Sequence, residues 1–220
     1  MPFSNNAAIA GGNLFILGST FDSAASRLVN YASRQGKGRI FILHANSPAE
    51  IIGRDAIQRA ISGSSASLAG VAGFSPSQQG IIDALPGIAR QIRSSGADAV
   101  FVTSGTQDAL PFLAELLPEN GIGPDIYQMI GLQRLDQPSS ALSLKGVQGA
   151  LFALPDRNLT QQFSGRFQAA YGARPNTIAG VAYDGISAIG GLIASGDSGA
   201  LTKSSLTRAR GFSVQAAQLI

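Results

Sequence analysis

Residues 39–50 read Arg39-Ile40-Phe41-Ile42-Leu43-His44-Ala45-Asn46-Ser47-Pro48-Ala49-Glu50, and two local patterns meet within them. Residues 39–44 are a short apolar run of branched and aromatic side chains, the composition of a strand buried on both faces. Ser47 then stands as a helix N-cap, Pro48 at the first helical position and Glu50 three residues on, a capping box. Ile51, Ile52, Ala56, Ile57, Ala60 and Ile61 continue at helical spacing to a stop at Gly63.

The same alternation repeats outward from there. Residues 66–74 read as a strand, and 78–95 as a helix with Ile81, Ile82, Leu85, Ile88, Ala89 and Ile92 inward. Pro86 inside that helix predicts a kink or break, and Gly96 a C-cap. Residues 97–102 form a third strand, Thr103-Ser104-Gly105-Thr106 a loop, and a helix from Gln107 runs to a stop at Asn120-Gly121. Strands follow at 126–132 and 147–154. Repeated strand–helix–strand units of this length imply an α/β fold, a parallel sheet with helices on both faces. After Pro155 the pattern turns helical: Asn158 caps a helix to Tyr171, residues 177–195 form a second and 201–208 a third. At the front, residues 7–20 read as a glycine-interrupted strand and 22–35 as a helix.

Composition removes several function classes. Of 220 residues, 45% are hydrophobic and 13% charged, the reverse of a disordered chain. The most apolar segment, Ile178 to Ala194, carries Asp184, Ser187 and four glycines and reads as a buried helix, not a membrane span. There is no cysteine and one histidine, His44, which excludes disulfides and His- or Cys-based metal sites. His44, at the end of its strand, reads as a core or rim residue. The net charge of +3 is spread along the chain, without the clustered basic surface that nucleic acid requires. Met1-Pro2-Phe3-Ser4-Asn5-Asn6 is not the pattern of a secretory signal.

The motifs of chemistry are equally thin. Gly196-Asp197-Ser198-Gly199 has the letters of a serine-protease loop but joins two helices and has no His–Asp pair to serve it; it reads as a turn. No phosphate-binding glycine loop or nucleophile elbow occurs. Asp22, Asp55, Asp108 and Asp156 are explained by helix starts and dipoles. Asn158-Leu159-Thr160 matches a glycosylation sequon, with Asn158 already spoken for as a cap.

What remains is a set of neutral polar groups at the carboxyl ends of parallel strands: Asn46-Ser47, Thr103-Ser104-Gly105-Thr106, and Gln133. Open α/β sheets bind ligands outside those ends, and helix N-termini there offer N–H groups to an anion. The plainer reading of Ser47, Ser104 and Thr106 is that each caps a helix. With hydrogen bonding available and no poised nucleophile and base, the pattern suits a binder and not an enzyme. No cofactor and no metal is implied.

The chain resembles the type I periplasmic binding proteins, specifically the leucine/isoleucine/valine-binding receptors of ABC importers. The resemblance is carried by Ser4-Asn5-Asn6 with Gly18-Ser19-Thr20-Phe21-Asp22, by Arg39 to His44 followed by Gly53, and by Gly96-Ala97-Asp98-Ala99-Val100-Phe101. Phe167-x-x-x-Tyr171, Pro175 and Ala182-Tyr183-Asp184-Gly185 complete it. It implies a crossover from a first lobe over residues 1–20, a second α/β lobe over 21–154, and over 155–220 a helical return segment belonging to an incomplete lobe. The family's first-lobe sheet would precede Met1 and a last segment would follow Ile220, so the chain is expected to be a fragment with half a cleft. An isolated chain of that kind is expected to show no thermal shift with amino acids, and to self-associate through exposed apolar helices.

The resemblance also implies a small-molecule ligand, polar or carboxylate-bearing, held by an extracytoplasmic receptor that closes on a hinge and delivers to an ABC permease. Ser104, Gly105 and Thr106 would hold its anionic or polar end. Asn46, Ser47 and Gln133 would add contacts, with Ser4 and Asn5 contributing from the crossover. Two positions depart from the amino-acid-binding members: Ile52 stands where an aromatic is expected, and Gln133 where an acidic residue pairs with the ligand's ammonium. An amide cannot supply that charge-assisted bond. A related branch, the lipoprotein activators of penicillin-binding proteins, shares the fold and would make the partner a penicillin-binding protein. Both branches imply the periplasm or cell envelope.

Overall fold

The computed structural model describes residues 5–6, 9–11, 14–196 and 201–206. They fall into two compact units, one spanning residues 19–153 with Asn5 and Asn6, the other drawn from residues 9–18 and from 154 onward.

In the first unit, α1 (Phe21–Arg34) leads into β1 (Arg39–Ala45), α2 (Pro48–Ser62), β2 (Ser67–Phe74), α3 (Gln78–Ser95), β3 (Ala99–Val102), α4 (Leu110–Glu119), β4 (Gln128–Gly131) and β5 (Leu151–Phe152). All five strands are parallel, in the order β2-β1-β3-β4-β5. Alternate side chains of β1 and β3 feed opposite layers, as the pleat requires. Ile40, Ile42, Ala99 and Phe101 pack with Leu28 and Val29 of α1 and Ala56 and Ile57 of α2. Phe41, Leu43, Val100 and Val102 pack with Leu85, Ile88 and Ile92 of α3 and Leu110, Leu113 and Leu117 of α4. Being covered on both faces, the central strands contain no polar alternation, which is why they read as continuous apolar runs.

Side-chain caps start three of these helices: Thr20 accepts from the Ser23 N–H at 3.2 Å, Ser47 from the Glu50 N–H at 3.4 Å and Ser77 from the Gly80 N–H at 3.1 Å. Gly96 ends α3 at φ 66°, the left-handed value that a β-carbon disfavours.

Several expectations are corrected. α3 runs unbroken through Pro86. The helix expected from Gln107 begins at Leu110, with Ala109 as an N-cap that makes no side-chain bond; neither Thr106 nor Asp108 caps it. The strand expected over 126–132 is held to 128–131, with Ile126 exposed. That expected over 147–154 shrinks to two residues, because 145–147 form a 3-10 turn. Asp55 lies inside α2 and pairs with Arg54.

The second unit holds α5 (Arg157–Tyr171), α6 (Thr177–Ala194) and the four-residue α7 (Lys203–Leu206). Asp156, not Asn158, caps α5, accepting from the Leu159 N–H at 3.0 Å. Within residues 7–20 the described positions form no strand, only isolated bridge positions at Gly11, Leu14 and Leu17, of which Gly11 and Leu14 pair antiparallel. Asp197, Ser198 and Gly199 lie outside the described residues, as do 207 and 208 of the third helix. Among the described residues no helix is long and apolar enough to cross a membrane, and no three His, Cys, Asp or Glu side chains are grouped to hold a metal ion.

Candidate functional site

The strand order places a topological switch between β1 and β3. From β1 the chain leaves through α2 toward β2, and from β3 through α4 toward β4. The two exits diverge and leave a crevice outside the carboxyl ends of the strands, where open α/β sheets bind ligands. A hollow of about 210 Å³ lies there, lined by Asn5, Phe21, Ser47, Ala49, Glu50, Gly53, Thr103, Asp108, Leu132 and Gln133. Gly53 keeps it open: a β-carbon at that position would stand 2.7 Å from the Leu132 Cδ2 and 3.4 Å from the Thr103 Cγ2.

Glu50 organises the floor. It is 8% exposed, and its Oε2 accepts from the Ala45 N–H, the Thr103 hydroxyl and the Ser104 hydroxyl, each at 2.7 Å. The capping box is therefore half formed. Ser47 caps the Glu50 N–H, but the Glu50 carboxylate serves the tips of β1 and β3 instead of turning back to the Ser47 N–H.

Of the sequence-derived candidates, Asn5, Ser47 and Gln133 line the hollow; Ser4 lies outside the described residues. The carbonyl of Asn5 accepts from the Phe21 N–H at 2.7 Å, which ties it to the start of α1. The Gln133 Nε2 donates to the Thr103 carbonyl at 2.9 Å, and its Oε1 sits over Gly105, 2.6 Å from where a β-carbon would be. The remaining candidates are placed elsewhere. Ser104 is fully buried and its hydroxyl is committed to Glu50. The Thr106 hydroxyl donates to the Gln137 carbonyl. The Gly105 N–H is 3.3 Å from the Asp108 Oδ2. Asn46 lies toward β2, its Oδ1 against Gly73, and the buried His44 packs there too, its Nδ1 3.0 Å from the Ala45 carbonyl.

Sequence reading missed Glu50 as a lining group, and counted Thr103 among the strand-tip polar groups without giving it a ligand contact. An acid buried on a strand-tip helix was the available signal, but the capping box accounted for Glu50 without it. Among the described residues no cation lines the hollow. Arg54 is spent on Asp55 at 2.7 Å and Arg134 on Asp136 at 2.7 Å, a bond that raises the Arg134 pKa above its ordinary value.

Sheet order and hollow define a doubly wound lobe with a solute-sized recess at its switch point. Residues 2–212 match the family model described as periplasmic binding protein, and the chain belongs to that family. No curated protein matches it. Among solved structures it is similar to a branched-chain amino acid ABC transporter periplasmic ligand-binding protein from Burkholderia xenovorans LB400, at 19% identity and TM-score 0.63, covering 84% of this chain and 50% of that one. It is similar to an ABC transporter substrate-binding protein from Desulfitobacterium hafniense, at 17% identity and TM-score 0.60, covering 83% and 52%. A solute-binding protein from R. palustris in complex with 4-hydroxybenzoate aligns at 14% identity and TM-score 0.55, covering 83% and 51%. At these identities the likeness is one of fold, and the chain spans about half the length of the structures it matches.

Proposed function

We propose that this chain supplies one half of the ligand cleft of an extracytoplasmic solute-binding receptor that serves an ABC importer. The observation that carries the reading is the hollow at the β1–β3 switch point, into which the tips of β3 and β4 and the first turn of α2 converge. Its size supports a half-site: about 210 Å³ is below the roughly 300–1,000 Å³ of a pocket that encloses a whole drug-sized ligand. Residues 155–220 are then a return segment to the other lobe, and the solute is a small polar metabolite of amino-acid size. Related proteins support that range, since the R. palustris structure holds 4-hydroxybenzoate and a D. hafniense structure holds Leu.

The test is ligand-observed NMR of the full chain against a library of amino acids, amines, polyols and aromatic acids. Solutes retained by the chain should be lost in Ala49→Trp. Ala49 is exposed on the first turn of α2 and lines the hollow, so the indole plugs the recess without entering the core. Retention of every solute by that variant would remove the hollow as the site. Self-association belongs to the same reading, supported by Ile178, Ile186 and Ile193, which are exposed on α6. Sedimentation of the isolated chain would show dimers or larger species.

A further inference from the structure

Three donors crowd onto one oxygen of Glu50 and none reaches the other. Oε2 takes the Ala45 N–H and the hydroxyls of Thr103 and Ser104, while Oε1 accepts nothing among the described residues. No buried side-chain oxygen or nitrogen among them lacks a partner, so Oε1 is not sealed; it keeps contact with open space. The open space beside Glu50 is the hollow it lines. The side chain is 92% buried by its 8% exposure and clamped by three bonds, so Oε1 is a fixed acceptor and not a solvated surface charge.

The rest of the lining has the same polarity. Asp108 adds a second carboxylate, and among the described residues no Lys, Arg or His lines the hollow. The two arginines nearest in sequence, Arg54 and Arg134, are neutralised by their own neighbours. An anion entering here would meet two carboxylates with nothing to offset them, whereas a positively charged nitrogen would find a charge-assisted acceptor already oriented.

We propose that the hollow receives a positively charged nitrogen of the ligand, an ammonium-type group, with Glu50 Oε1 as its acceptor, and that it rejects a carboxylate. This rests on the solute-binding reading and sharpens it: the lobe selects by charge at Glu50. The clamp on Oε2 then has a purpose beyond joining β1, β3 and α2. It spends three donors on one oxygen and leaves the other free for the solute.

Three probes of equal length separate the possibilities: propylammonium, propionate and 1-propanol, each titrated into the full chain while amide shifts are followed at Ala49, Gly53 and Thr103. Propylammonium should bind with a Kd at least about tenfold below the other two, the size of one charge-assisted bond. In Glu50→Gln the amide oxygen can keep the three donors while its NH2 replaces Oε1, so the preference should vanish. Asp108→Asn should retain it. If Glu50→Gln fails to fold, the order of the three probes on the unaltered chain still decides. Propionate or propanol binding as well as the amine overturns the proposal and leaves solute binding intact, as does an amine preference lost in Asp108→Asn and kept in Glu50→Gln. If no probe moves these amides while a library solute does, the charge assignment alone falls; if neither does, both readings fall.

Discussion

α3 and α5 each carry an apolar stripe at helical spacing and meet different fates. In α3, Ile81, Leu85, Ile88, Ala89 and Ile92 are all buried against the sheet and α4. In α5, Phe163, Phe167 and Tyr171 stand at the same four-residue spacing, yet no residue of the helix is buried. Their rings meet one another and Tyr183 of α6 at centroid distances of 4.7–5.8 Å. A periodic stripe specifies a helix and its inward face; whether that face is dry depends on a layer that another part of the chain must supply. Residues 19–153 supply a sheet to their helices, whereas among its described residues the second unit supplies no sheet, only helix against helix and Leu17 against Gly185.

The largest effect that could break this contrast is the pair Phe101→Ala and Phe167→Ala. Phe101 is fully buried in β3, and its truncation should cost about 3–5 kcal/mol in urea unfolding. Phe167 should cost about 1 kcal/mol, the worth of an aromatic contact; equal costs would mean that α5 is as well covered as the sheet. Next comes Glu50→Ala, which strands the Ala45 N–H and the two hydroxyls and should cost about 3 kcal/mol by the same measurement. A cost near zero would show that the strand-tip clamp contributes nothing. Gly53→Ala should follow at about 1 kcal/mol, because the Leu132 side chain can move aside but not freely. The smallest effects are the caps. Ser47→Ala and Asp156→Ala each remove about 1 kcal/mol of helix stabilisation, but the first should lower the global unfolding midpoint. The second should appear only in the hydrogen exchange of α5.

Most of the sheet was legible because its signals are local: apolar runs at 39–44 and 97–102, a cap at Ser47, glycine stops at Gly63 and Gly96; the cap at Ser77 emerged only from the structure. The carboxyl edge of the sheet followed from the strand–helix alternation, and with it the tips where Ser47 and Gln133 lie; the strand order that puts a switch between β1 and β3 did not. What failed was set by distant partners. Glu50 belongs to a capping box by spacing, yet hydroxyls 53 and 54 positions away hold its carboxylate. That bonding also keeps the Ser104 hydroxyl out of the lining of the hollow. Thr106, read as a cap, is taken by the carbonyl of Gln137, and α4 starts three residues late without a side-chain cap. The edge strand β5 is short because the chain before it turns in 3-10 form, a choice its apolar composition does not record.

The central claim is that the hollow at the β1–β3 switch grips one end of a solute. Chemical-shift mapping of the full chain with the tightest library solute tests it most directly. Perturbed amides should cluster at Ala49, Gly53, Thr103 and Gln133. A cluster along β2 or on α5 and α6, with those four positions silent, would contradict it.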